Sequence, residues 1–299
     1  MQKTTLITAF FDIGREKFKA IPRSSNKYHE YFKFWARLKN NLIVYTDKSN
    51  YKIVKSIRSE FGLEKKTTII VIDNIFDINP QLRKRLNEIE NDKYFKNFRK
   101  NENATSNSGD YNYLMLLKSW FVQDAVFRNL TETNVAWIDY GFNHGGKVFI
   151  NPNEFDFEWS PTHIDKINLY YLDKIDKRPV FEIVKRLEDC IMGPLILMPS
   201  EMTKKFYDMN LESMQILNSL GLMDDDQLIM LFSQRRHPTC FKIIKSNWFL
   251  GISHFNGKHL TIKKVNKQNA IKRFTIKLYV SLRNKYNLIY YFYRNYINY

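Results

Sequence analysis

Cysteine is scarce in this chain: Cys190 and Cys240 are the only two among 299 residues. Two thiols cannot form a disulfide framework or a zinc cluster. They read as free, buried thiols in a reducing compartment, because unpaired cysteine is among the most often buried residue types. Long apolar runs are also missing: nothing approaches the ~18 residues that read as a bilayer span. Residues 6–11 are mostly apolar, but Asp12 ends the run and no basic region of any weight precedes it, so a secretory signal is not expected. The expectation is a cytoplasmic chain, peripheral on the inner face of the membrane. Internal repeats and low-complexity segments are missing too, which excludes a solenoid.

Acidic residues are missing from one region. From Gly251 to the end there are ten Lys or Arg and no Asp or Glu. The net charge is +16, yet the first 250 residues carry 37 basic against 31 acidic groups. The excess basicity therefore belongs mostly to the end of the chain, where it suits an anionic partner. Ile271, Phe274, Leu278, Leu282, Tyr286, Ile289 and Tyr293 recur there every three or four residues. This spacing predicts a basic amphipathic helix within a tail at 263–299. Seven tyrosines between Tyr279 and Tyr299 suit the wet edge of an apolar surface. An anionic membrane surface is the expected partner. The alternative is that the apolar stripe packs on its own domain or on a second subunit.

What is present is enough for a core. Hydrophobic residues make up 44% and aromatics 15% of the chain, which argues against disorder. Runs at 4–11, 41–46, 67–72, 135–138, 193–198 and 241–245 read as strands. Helical spacing appears at 26–39, 51–61, 111–127, 200–220 and 225–233. Strands alternating with helices predict an α/β fold with a mixed, mostly parallel sheet flanked by helices, over residues 1–262. The polar stretch 99–110 reads as a mobile loop.

Several residues are placed for chemistry. Asp139 follows the apolar run 135–138 and precedes Tyr140-Gly141. Open α/β sheets bind ligands at the carboxyl ends of their strands, so a carboxylate emerging there is a site candidate, or else a turn cap. His254 lies in a short segment bounded by Gly251 and Gly257, with Lys258 following. Glycine lets a backbone approach a phosphate and lysine adds a point charge; an ordinary loop histidine is the alternative. Asp224, Asp225, Asp226 and Gln227 open a helix, where acids favour the dipole or face a reacting group. Lys118 sits mid-helix among apolar neighbours, as a snorkelling side chain or a phosphate contact. Arg15 after Gly14, and Lys147 after His144-Gly145-Gly146, could reach the same mouth.

Residues 4–15 (TTLITAFFDIGR), 118–124 (KSWFVQD) and 136–141 (AWIDYG) resemble the HtrL/YibB family, which occurs in bacterial lipopolysaccharide-core and capsule loci. More widely, the layout resembles GT-A glycosyltransferases, with their Rossmann-like nucleotide-binding sheet. Asp139-Tyr140-Gly141 sits where their Asp-x-Asp motif falls. Asp226-Gln227 resembles the Asp-Gln pair of glycogenin-like and lipopolysaccharide galactosyltransferases. His254-Phe255-Asn256-Gly257-Lys258 resembles their His-x-x-Gly-x-x-Lys segment, with the lysine two residues early.

The resemblance implies a UDP-sugar co-substrate and a divalent metal, Mn or Mg, held by Asp139 and His254. Thr8, Arg15, Lys118, Asp139 and Lys258 would bind the donor. Asp226 and Gln227 would face the sugar, with Asp225 a spare acid. The implied activity is transfer of a sugar to a lipopolysaccharide, lipooligosaccharide or capsule acceptor. One departure stands: Gly141 replaces the second acid of Asp-x-Asp, so either Asp139 and His254 hold the metal with help from His144 or water, or the enzyme works without metal. Two rival functions are a polysaccharide-assembly scaffold without catalysis and a nucleic-acid-binding protein. The second is disfavoured because the excess basicity sits mostly in the tail and no RNA-binding aromatic motif occurs, so no nucleic acid is expected.

Overall fold

Seven short runs rich in β-branched and aromatic residues pair into one sheet. They are β1 (Thr4–Phe10), β2 (Leu42–Thr46), β3 (Thr67–Val71), β4 (Asn134–Ile138), β5 (Ile167–Tyr171), β6 (Ile191–Pro199) and β7 (Phe241–Lys245). The computed structural model describes residues 3–14, 16, 24–99, 105–172, 175, 177–187, 191–264, 282 and 286. Strand order is β3-β2-β1-β4-β6-β5-β7. Neighbours are parallel except on either side of β6, which runs against β4 and β5. The sheet is therefore mixed and mostly parallel, as the sequence predicts. Every residue of β2, β4 and β6 is buried, as expected of strands covered on both faces.

The covering helices are α1 (Ser25–Trp35), α2 (Tyr51–Glu60), α3 (Pro80–Asn91), α4 (Lys93–Phe98), α5 (Gly109–Phe127), α6 (Val180–Arg186), α7 (Thr203–Ser219) and α8 (Asp226–Arg236). Alternation along the strands divides the interior into two layers. Ile7, Val135 and Trp137 join Phe121, Phe206 and Ile229 on one face. Leu6, Ala136 and Ile138 join Phe32, Trp35 and Tyr170 on the other. Helix α5 is buried nearly all round, because it lies between the sheet and other helices.

A buried cation closes the second layer near α2. Arg58 is 1% exposed and donates to the carbonyls of Ala36, Leu38 and Asn40 and to Thr67 Oγ1. Burial lowers its pKa to about 10, and the carbonyls provide the acceptors a buried guanidinium needs.

Four elements are not evident from the sequence pattern. β5 was hidden by Asn168, a buried polar residue at its second position, whose Nδ2 donates to the carbonyls of Lys166 and Leu197. Helix α3 has a legible start, with Asn79 as N-cap and Pro80 in the first turn. The short helices α4 and α6 give too few turns for a clear period.

The loop expected to be mobile at 99–110 is anchored at its described ends. Arg99 is buried and bonds the carbonyls of Val184 and Met223, while Ser106 Oγ donates to Asp225 at 2.9 Å. Cys240 is a free, buried thiol, and Cys190 lies outside the described residues. The chain divides into two compact units, Met1–Thr261 and Ile262–Tyr299. The helix expected in the tail lies outside the described residues, apart from isolated positions. Among the described residues no helix is long and apolar enough to cross a membrane.

Candidate active site

The chain passes from β1 to β2 on one side and returns to β4 on the other. This makes the β1/β4 crevice a topological switch point, where open α/β sheets bind ligands. A cleft of about 400 Å³ opens there. Its floor carries Lys118, Asp139, Gly193 and Asp226, and its walls carry Tyr28, Tyr111, Trp248 and Phe249.

Each floor residue is placed by a different element. Strand β4 ends at Ile138, and the Asp139 amide donates to the Pro194 carbonyl on β6. Trp137, two residues earlier and so on the same face, donates Nε1–H to Asp139 Oδ1 at 2.7 Å. Lys118 Nζ reaches the same oxygen at 2.8 Å. Both bonds fall on Oδ1, and Oδ2 has no hydrogen-bond partner among the described residues.

Lys118 Nζ also bonds Asp226 Oδ2 at 2.9 Å. The side chains of Lys118 and Asp226 are 6% and 9% exposed, whereas that of Asp139 is 30% exposed. Burial alone would lower the Lys118 ammonium, but Asp139 and Asp226 outweigh it and hold its pKa above the ordinary value. Burial pushes the Asp226 carboxyl above the usual carboxylate range; Lys118 opposes this and Asp139 adds to it.

The acidic run 224–226 performs three separate tasks. Asp224 pairs with buried Arg99 at 3.3 Å. Asp225 caps α8, accepting from the Gln227 amide at 3.1 Å and from Ser106 Oγ. Asp226 alone of the three lines the cleft. Gln227 lines it as well, and its buried Oε1 finds no hydrogen-bond partner among the described residues.

Gly193 makes the cluster possible. A β-carbon there would lie 2.1 Å from Asp226 Oδ2 and 3.1 Å from Lys118 Nζ.

The segment after Asp139 is unusual. Asn143, His144, Gly145 and Gly146 have φ of 61°, 44°, 67° and 112°, four left-handed residues in succession. Such backbone persists only when its surroundings over-determine it. Asn143 does so: its side chain accepts from the amides of Val148 and Phe149 and donates to the Phe149 carbonyl, each at 2.9 Å. His144 and Lys147 reach the cleft from this segment.

Four expected site residues fall elsewhere. Thr8 is wholly buried within β1 and does not line the cleft. Asp225 is committed to the helix cap. His254 stacks on Tyr170 and its Nε2 lies 3.2 Å from Ser246 Oγ; neither His254 nor Lys258 lines the cleft, whose wall here is Trp248 and Phe249. Arg15 lies outside the described residues.

The donor set also does not fit the metal that the resemblance implies. Lys118 occupies the space between the two carboxylates. At Gly141, even a β-carbon would come within 3.1 Å of the Tyr28 ring, so the position of the second acid is crowded. Among the described residues no three His, Cys, Asp or Glu side chains are grouped to hold a metal ion.

Trp137, Gly193 and the aromatic wall were not singled out from sequence. A lone glycine inside a strand marks a close approach, and that was the available signal for Gly193.

A family model described as "Bacterial protein of unknown function (HtrL_YibB)" matches residues 2–257. The chain belongs to this HtrL/YibB family. It is 32% identical over 264 residues to Protein HtrL of Escherichia coli (strain K12), covering 82% of this chain and 90% of that protein. It is also similar to the crystal structure of mouse xyloside xylosyltransferase 1 in its apo form, with a TM-score of 0.41 and 12% identity. That match covers 81% of this chain and 85% of the mouse chain.

Proposed function

We propose that this protein is a GT-A-type glycosyltransferase that moves a sugar from a nucleotide-sugar donor, a UDP-sugar, to a saccharide or glycolipid acceptor of lipopolysaccharide, lipooligosaccharide or capsule assembly. One observation carries the reading: a buried Lys118 joins Asp139, at the carboxyl end of a central parallel strand, to Asp226, at the start of α8, on the floor of a cleft. An ion pair kept for stability alone would gain little from lying at a ligand crevice. The aromatic walls suit a base and sugar rings, and Asp139 Oδ2 is placed to accept from a ribose or sugar hydroxyl. Asp226 and Gln227 face the position of the donor sugar. The bacterial surface-polysaccharide context comes from the family resemblance.

The test is UDP release from a panel of UDP-sugars, with and without saccharide acceptors. One donor is expected to be turned over. Asp139→Ala should lower the rate by at least about 100-fold, the scale for losing a positioned charged contact. Its melting temperature should fall less than that of a Lys118 variant, because Asp139 is the most exposed member of the cluster and Lys118 keeps Asp226 as a partner. Failure to bind or turn over any nucleotide sugar would sink the reading and favour a scaffold.

The basic tail would hold the enzyme peripherally on the inner face of the cytoplasmic membrane, where a lipid-linked acceptor lies. Removing residues 263–299 should abolish sedimentation with anionic vesicles while leaving UDP release intact. Unchanged sedimentation would assign the tail to packing instead.

A further inference from the structure

This inference rests on the nucleotide-sugar reading above and concerns how its donor is held. We infer that the diphosphate is bound without a divalent metal, with the Lys147 ammonium as its counter-charge and Lys118 holding the two carboxylates in place.

Three features of the cleft carry this. First, Lys118 Nζ already takes the position a cation would need, at 2.8 Å from Asp139 and 2.9 Å from Asp226. A magnesium ion requires oxygens at about 2.0–2.1 Å in near-octahedral order. To enter, it would have to expel an ammonium that is also 3.4 Å from the Gly193 carbonyl and almost wholly enclosed. The expelled group would lose both partners it now bridges, and the other acid lining the cleft, Asp12, is already bonded to the Gly14 amide and Ser25 Oγ. Second, the oxygen ligand that the second acid of Asp-x-Asp would bring is missing, and the Tyr28 ring crowds its place. Third, the histidine that would complete the set is turned to Ser246 and Tyr170 and does not line the cleft.

The positive charge a metal would bring is supplied instead from the protein. Asp139, Asp226 and Lys118 together carry a net negative charge when all three are ionised, which repels a diphosphate, and Asp12 adds to it. Lys147 offsets part of it. It is an exposed lysine on the cleft wall, held by the left-handed segment that Asn143 pins. Its backbone amide donates to the Asn143 carbonyl at 2.8 Å, so the point at which the side chain leaves the chain is fixed. A cation presented on pre-ordered backbone loses less entropy when it binds a phosphate. Lys118 acts as a positioning residue: it keeps the two carboxylates apart and aimed while neutralising one of them.

The experiment is calorimetric titration of the full chain with UDP, in EDTA and then in manganese. The expected result is the same affinity in both, within about two-fold, and no uptake of manganese by the protein alone. Lys147→Ala should weaken UDP binding by about five-fold or more, the scale of one charge-assisted contact, and Lys147→Arg should restore it. Lys147 is exposed, so neither variant threatens the fold.

Binding that appears only with manganese, or strengthens ten-fold or more, would overturn the inference while leaving the donor reading intact. Equal affinity for Lys147→Ala would also overturn it. Absence of UDP binding in both solutions would overturn the donor reading and this inference with it.

Discussion

Lys118→Met is expected to destabilise the protein by about 3–5 kcal/mol at neutral pH, the usual cost of leaving a buried charge without its partner. Methionine matches the aliphatic stem, so the loss reports the ammonium and not a cavity. The Asp226 carboxylate would face Asp139 in a site almost closed to water. The loss should also depend on pH. Burial already holds the Asp226 carboxyl above its ordinary value with Lys118 in place, and removing that opposing cation raises it further. A carboxyl whose folded pKa exceeds its unfolded value favours the folded state fully below the unfolded pKa. That contribution is lost as pH rises through the folded pKa. The variant should therefore recover stability relative to the parent as pH is lowered from neutral toward about 4. Urea unfolding at several pH values checks this. A deficit equal at all pH values would mean that Asp226 does not take up the proton.

Gly193→Ala is expected to remove UDP binding and to cost about 2–4 kcal/mol, through overpacking and a broken ion pair. The added β-carbon would lie 2.1 Å from Asp226 Oδ2 and 3.0 Å from its Cγ. Relief by rotating Asp226 takes its oxygen away from Lys118. Relief by moving β6 disturbs the Asp139 amide, which donates to the Pro194 carbonyl next door. Either way the three charged groups lose their mutual distances. UDP titration and thermal melting read the two effects separately. Parental affinity in this variant would show that the cluster tolerates displacement and does not hold the donor.

The strands of the parallel half were legible because they are short apolar runs followed within two residues by Asp12, Asp47, Asp73 or Asp139, with helical spacing between them. β5 was not, because Asn168 interrupts its apolar run and one of its two acceptors is a carbonyl on a distant strand. At the site, Asp139 and Asp226 were legible from their places at a strand end and a helix start. Lys118 was legible mainly through resemblance, since a mid-helix lysine by itself reads as a surface group. The division of labour among Asp224, Asp225 and Asp226 was not legible. It depends on which of Arg99, Ser106 and Lys118 the fold brings opposite each acid. His254 shows the converse: a motif in the right order along the chain need not put its side chain into the cleft.

The reversed direction of β6 has a consequence for how the molecule assembles. Lys118 and Asp226 lie 108 positions apart, and Gly193, between them in sequence, must be seated before they can meet. Contacts of such separation carry a greater loop-closure entropy than local ones and are expected to form after the helices and the β1-β2-β3 pairing. The recognition floor is therefore among the last parts of the chain to become native. Nascent or partly refolded molecules would carry the sheet but not the charge cluster. A ligand of this cleft would then select for finished chains and raise their yield by mass action.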